Sequence, residues 1–114
     1  MEVKGIGIDI VEVKRFASFK KEDKDRFLSN NFTAKELEYC FSFADPSIHL
    51  AGTFAGKEAV WKALGKTDIL QSLVEIRRDT SGCPTVWIKN RQQKTILLSI
   101  SHTADTAVAV AIKQ

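Results

Sequence analysis

Between Pro46 and Gly65 the chain reads PSIHLAGTFAGKEAVWKALG, and no other stretch constrains the fold as much. Pro46 and Ser47 suit a helix start, Leu50, Phe54, Trp61 and Leu64 give apolar spacing, and Gly65 supplies a stop, so the pattern predicts one long helix. Small residues crowd it: Ala51, Gly52, Ala55, Gly56, Ala59 and Ala63 leave open space beside a helix that otherwise buries Phe54 and Trp61. Glu58 and Lys62 stand four residues apart in that setting, in the favourable order for a helical ion pair worth only about 0.2–0.5 kcal/mol when exposed. Spacing alone makes them a surface salt bridge; the open space beside them is the reason to consider a site.

The rest of the chain places other elements around this helix. VKGIGIDIV at 3–11 is rich in β-branched residues and alternates, with Ile6, Ile8 and Ile10 on one face and Gly5, Gly7 and Asp9 on the other. An amphipathic stretch from Val13 to Phe19 and a charged segment follow. TAKE at 33–36 then matches a capping box and predicts a helix to about Phe43. From Leu73 the pattern changes to strands: LVEIRR, the turn DTSG, PTVWIKN, TILLSIS, the tight link HTAD, and TAVAVAI. The order β, α, α, β, β, β, β predicts an α+β fold, a mostly antiparallel sheet packed on one long helix with shorter helices beside it.

Length and composition narrow the class. The 114 residues, 44% hydrophobic, make one domain spanning 1–114 with one core, and a subunit interface could complete a cleft. MEVKGIGIDI has no long apolar run, so neither a signal peptide nor a spanning helix is expected, and the chain reads as soluble and cytoplasmic. Cys40 and Cys83 lack CxxC spacing and suit reduced thiols packed as small hydrophobes. A net charge of +3 is too small to argue for nucleic acid. Lys14, Arg15, Lys20, Lys21, Lys24 and Arg26 gather early, but Glu12, Glu22, Asp23 and Asp25 lie among them, and no aromatic stacking platform accompanies them.

Three places could carry chemistry. Asp9 is ordinary polar alternation if its face meets solvent; Gly5 and Gly7 beside it fit a close approach by a ligand or another backbone. Asp9 and Glu58, brought together from a strand and a helix with few other oxygens at hand, match a Mg²⁺ site that keeps its waters and takes substrate phosphate oxygens. His102, between a strand and a turn, can cap backbone or serve catalysis. Ser99, Ser101 and His102 do not make a nucleophilic pair, because adjacent strand residues point to opposite faces. His49 reads as structural or surface.

Taken together, GIGIDIVEVKRF at 5–16, LAGTFAGKEAVWKALG at 50–65 and SISHTADTAVAVAI at 99–112 resemble the holo-[acyl-carrier-protein] synthases, small members of the phosphopantetheinyl transferase superfamily, over nearly the whole chain. The resemblance implies transfer of the phosphopantetheine arm of coenzyme A to a serine of apo acyl carrier protein, with release of adenosine 3′,5′-bisphosphate. It implies a homotrimer with active sites between subunits. It implies Mg²⁺ on Asp9 and Glu58, charge neutralisation on the phosphate by Lys62, Glu58 as base directly or through a bound water, and coenzyme A oriented by His102. Lys14 and Arg15, with Arg26 a weaker match, stand at the positions by which the family docks its acidic carrier. Many members carry arginine where this chain has Thr53, and a Gly-rich segment where it reads GKTDILQS. By the resemblance, the grip on the nucleotide end would then fall to Lys57 or Lys66. The alternative is a module of the same fold that binds coenzyme A or an acidic partner without turnover.

Overall fold

A computed structural model describes residues 2–22, 25–65 and 69–114. Its elements in chain order are β1 (Gly5–Glu12), α1 (Arg26–Asn31), α2 (Ala34–Cys40), α3 (Pro46–Leu64), β2 (Val74–Arg78), β3 (Pro84–Ile88), β4 (Arg91–Gln92), β5 (Ile96–His102) and β6 (Thr106–Lys113). A short 3-10 turn, Val13–Phe16, follows β1. The α+β class is as the sequence predicts. The strands form two antiparallel sheets of three, ordered β1-β6-β5 and β2-β3-β4.

Local chemistry fixes the helices. In α3, the Asp45 side chain accepts from the Ser47 N–H, Pro46 occupies the first turn, and Gly65 closes the helix with a left-handed φ of 70°. At α2 the capping box forms in full: Thr33 Oγ1 accepts from Glu36 N at 3.2 Å, and Glu36 Oε1 accepts from Thr33 N at 2.9 Å. α2 ends at Cys40, short of Phe43. α1 lies in what the sequence reads as a merely charged segment; its cap is Asp25, which accepts from Phe27 N at 2.7 Å.

The sheets explain the small residues of α3. Gly5 and Gly7 let β1 lie directly on the helix: a Cβ on Gly7 would meet Ala59 O at 1.9 Å, and one on Gly5 would meet Ala63 O at 2.0 Å. On the same side of α3, a Cβ on Gly56 would stand 3.2 Å from Ile100 Cδ1. The small residues are therefore filled contact and not open space beside the helix. They form the buried face of α3, while Phe54, Trp61 and Leu64 are only half-buried. Val74, Ile76 and Val86 of the second sheet join the same core.

This packing decides which face of β1 is inside. Gly7, Asp9 and Val11 face α3, and Ile6, Ile8 and Ile10 point outward with 67%, 62% and 70% exposure. In the register Ile6↔Ile112, Ile8↔Val110 and Ile10↔Val108, opposed residues share a face, so the outer surface of the first sheet is an apolar band that Leu97 extends.

Candidate active site

Because β1 rests on α3 through its glycines, Asp9 is delivered beside the helix. Lys62 Nζ sits 3.0 Å from Ile8 O and 3.3 Å from Asp9 Oδ1. Among the described residues the ion pair thus runs from α3 to β1 and not along the helix to Glu58. Glu58 is half-buried, and its carboxyl is held above the ordinary glutamate value first by burial and then by the Asp9 charge, with Lys62 and Arg15 opposing. Two carboxylates, of which Asp9 helps to raise the proton affinity of Glu58, with a lysine between strand and helix, make a pocket of concentrated charge. A groove of about 350 Å³ runs past Asp9 and Lys62 along β1.

The donor set fits a hard cation held sparingly. Among the described residues, no cluster of three or more His, Cys, Asp or Glu side chains is placed to hold a metal. Asp9 and Glu58 offer only carboxylate oxygens, the complement suited to Mg²⁺ sharing its coordination with water and substrate phosphates.

Lys57 does not reach this region, contrary to its expected part in nucleotide binding. Its ammonium is fully buried, 2.7 Å from Glu36 Oε1, and both side chains are 0% exposed. One residue before Glu58, it projects toward another side of α3, between α2 and β2. The Glu36 carboxylate also accepts from Ile76 N at 2.7 Å and caps Thr33 N. It ties α2, α3 and β2 together, and burial pushes its pKa up against the lowering effect of Lys57. Lys66, the other expected contact, lies outside the described residues.

His102 is exposed at the end of β5, its Nδ1 3.3 Å from Thr103 O. It does not join Asp9 and Glu58. The rows Asp9, Ala109, Ile100 and Val11, Ala107, His102 put it two strand spacings, about 10 Å, across the sheet from β1. It opens instead on a cavity lined by His49 and Arg78. Ser99 and Ser101 point to the outer face, away from it, as strand alternation predicts.

Thr53 is fully buried, with Oγ1 3.5 Å from Cys40 Sγ and accepting from Arg78 Nη1 at 3.1 Å. Burial pushes the Cys40 thiol up to about 11. Cys83, by contrast, is exposed rather than packed. Of the expected docking residues, Lys14 pairs with Glu12 at 3.1 Å, Arg26 is exposed at the start of α1, and the Arg15 guanidinium lies 5.3 Å from the Phe54 ring centroid. The sequence reading missed what stands beside them. Phe16, Phe19, Phe27, Phe32 and Phe54 form one aromatic cluster, with Phe19 and Phe27 stacked at 5.8 Å. It also missed Arg78; a lone arginine at a strand end carries no pattern that would single it out.

Residues 5–112 match the family described as the 4′-phosphopantetheinyl transferase superfamily. The chain belongs to this superfamily. Among its relatives in the superfamily, the holo-[acyl-carrier-protein] synthase of Caldicellulosiruptor saccharolyticus is 47% identical over 96% of this chain and 94% of its own. That of Thermodesulfovibrio yellowstonii is 41% identical over 96% and 97%. The transferase fold is shared with solved structures: a holo-(acyl-carrier-protein) synthase from Bacillus anthracis in complex with CoA (3′,5′-ADP) superposes at TM-score 0.78 with 30% identity, covering 97% of this chain and 96% of that one. The Helicobacter pylori holo-[acyl-carrier-protein] synthase in complex with coenzyme A superposes at TM-score 0.78 with 29% identity, covering 96% and 99%.

Proposed function

We propose that the chain catalyses the holo-[acyl-carrier-protein] synthase reaction: the serine Oγ of an apo carrier protein forms a bond to the phosphorus bearing the pantetheine arm, and the bond from that phosphorus to adenosine 3′,5′-bisphosphate breaks. The observation that carries this reading is the convergence of Asp9, Glu58 and Lys62, from a strand and a helix, in a chain matched to such enzymes over nearly its full length. Asp9 and Glu58 would hold Mg²⁺, which when bound supplies charge neutralisation on the diphosphate. Lys62 adds a positive charge where negative charge grows on the leaving oxygen. Glu58, with its raised proton affinity, takes the serine proton and so works nearer neutral pH than an ordinary glutamate.

The outer face of the first sheet supports a homotrimer. Ile6, Ile8, Ile10 and Leu97 stand exposed beside Val108, Val110 and Ile112, a band of the kind proteins bury against a partner. In a trimer, a neighbour's His102 could complete the cleft that one chain leaves open between His102 and Asp9. Arg15 and Arg26, with the half-buried Phe19, Phe27 and Phe54, offer an acidic carrier both charge and apolar contact. Unpaired Cys40 and Cys83 suit the cytoplasm, where coenzyme A and carrier meet, and among the described residues no helix is long and apolar enough to cross a membrane.

The test is to incubate the protein with coenzyme A, Mg²⁺ and an apo carrier and to weigh the carrier. A gain of one phosphopantetheine is expected, and no gain across several carriers would refute the activity. Glu58→Gln should lower turnover by roughly 10²–10⁴-fold, the contribution of a positioned base, in a protein that keeps its fold.

A further inference from the structure

Two charges lie sealed in the core, out of reach of any substrate. Glu36 on α2 and Lys57 on α3 are both 0% exposed. Taking such a pair out of water is costly enough that apolar residues of similar volume often serve stability as well or better, so stability alone does not account for it. Glu36 is a fixed post. Its Oε1 accepts from Thr33 N at 2.9 Å and from Lys57 Nζ at 2.7 Å, and its Oε2 accepts from Ile76 N at 2.7 Å. Two of these donors are backbone, one in the cap of α2 and one in β2, so the frame holds the carboxylate and Lys57 is brought to it.

The helix that carries Lys57 needs a directional contact. Its buried surface is largely Ala51, Gly52, Ala55, Gly56, Ala59 and Ala63, residues that let β1 and β5 come close but present little relief to stop α3 from turning about its own axis. A buried polar contact is directional, and in some folds it selects one register among several. Thr53, one turn before Lys57, adds a second polar contact by accepting from Arg78 Nη1 at 3.1 Å. Lys57 and Glu58 are consecutive, so their side chains leave the axis about 100° apart. The rotation that seats Lys57 on Glu36 therefore also aims Glu58 toward Asp9, whose charge it feels. The tolerance is small: at roughly 6 Å from the axis, a turn of about 10° moves the end of a side chain by about 1 Å. A misplacement of that size costs on the order of 10²-fold in rate.

We propose that Glu36 and Lys57 are positioning residues of the active site: their buried ion pair fixes the rotation of α3 about its axis and thereby the approach of Glu58 to Asp9. This assignment rests on the reading of Asp9 and Glu58 as ligands of a divalent cation. Neither Glu36 nor Lys57 touches substrate, and both act through Glu58.

The test compares wild type, Lys57→Met and the double variant Glu36→Gln with Lys57→Met, at a temperature where circular dichroism shows the protein folded. Two quantities are read: binding of Mn²⁺, a probe suited to the same carboxylate oxygens, from the electron paramagnetic resonance signal of the free ion, and kcat and KM for coenzyme A at saturating Mg²⁺. Asp9→Asn marks which bound Mn²⁺ belongs to the site. Lys57→Met should bind Mn²⁺ roughly tenfold or more weakly, the worth of a group that orients a ligand, and lose roughly 10–10²-fold in kcat. Its KM for coenzyme A should stay within about twofold of wild type. The double variant, which decides if Lys57→Met does not fold, should regain stability but neither Mn²⁺ affinity nor kcat. Folded variants with wild-type Mn²⁺ affinity and kcat would overturn the proposal, as would recovery of both in step with stability. Absence of transfer by wild type would refute the transferase reading alone, because Mn²⁺ binding decides the positioning role without turnover; a wild type with neither would overturn both.

Discussion

Replacing Lys57 by methionine separates a structural from a nucleotide-binding lysine. Both members of the Lys57–Glu36 pair are 0% exposed and 2.7 Å apart, and removing one partner of such a pair typically costs about 3–5 kcal/mol because the other charge stays buried. Glu36 keeps two backbone donors, Thr33 N and Ile76 N, so the lower end, about 3 kcal/mol, is expected. For a chain of this size that corresponds to a fall in Tm of about 12 °C. Glu36→Gln in the Lys57→Met background should recover part of the loss, since a neutral amide can still accept from the backbone; the double change should cost less than the sum of the singles. The pH dependence has a definite sign. The folded pKa of Glu36 already lies above its ordinary value of 4.5, and loss of Lys57 removes a lowering influence and raises it further. The electrostatic part of the Lys57→Met deficit is therefore full above the variant's further-raised folded pKa and shrinks as pH falls from there to the parental folded pKa of Glu36. Urea denaturation followed by circular dichroism at several pH values measures all of this, and the KM for coenzyme A supplies the contrast. A Lys57→Met protein of parental stability with a raised KM would refute the argument and return Lys57 to the nucleotide.

Three further outcomes follow from the geometry. Gly7→Ala places a methyl 1.9 Å from Ala59 O, so β1 must lift by about 1 Å; a cost of about 1–3 kcal/mol and a roughly 10²-fold loss of activity, as Asp9 leaves Glu58, should be seen by thermal unfolding and the carrier assay. In metal-free protein, the Glu58 carboxyl should titrate above its ordinary 4.5 by NMR, moving down in Asp9→Asn and up in Lys62→Met; movement in the opposite directions would refute the electrostatic account. Ile8→Glu, on the outer face where Ile8 is 62% exposed, should leave the chain folded but reduce the mass measured by light scattering; an unchanged mass would exclude that face as the subunit contact.

What the sequence made legible was whatever depends on neighbours along the chain. The α3 stop at Gly65, the Thr33–Glu36 capping box and the strand alternation after Val74 are local and were readable. α1 was not, because six residues capped by Asp25 are too few to show a period among so many charges. The ending of α2 at Cys40 and the splitting of the strands into two sheets depend on tertiary contacts that no local pattern encodes. In the site, Asp9, Glu58 and Lys62 carried a recognisable pattern and lie together, but their pairing did not follow from spacing: Lys62 turns to Asp9 across 53 positions of sequence and not to Glu58 four residues away.

The orientation of β1 shows how the choice of one buried face decides a functional reading. Three isoleucines on one face of a strand ordinarily mark the side that packs on the core, which would leave Asp9 in solvent as polar alternation. Here the core side is the face of Gly5 and Gly7, because α3 presents backbone at Ala59 and Ala63 closely enough that no side chain fits between. Asp9 is thereby turned inward toward Glu58, and the isoleucines are turned outward to form the apolar band. The same packing decision creates both the carboxylate pair and the surface proposed to join subunits, so a catalytic cleft shared between chains is economical for this fold: one pair of glycines sets the site and exposes the face that would bring a second chain to it.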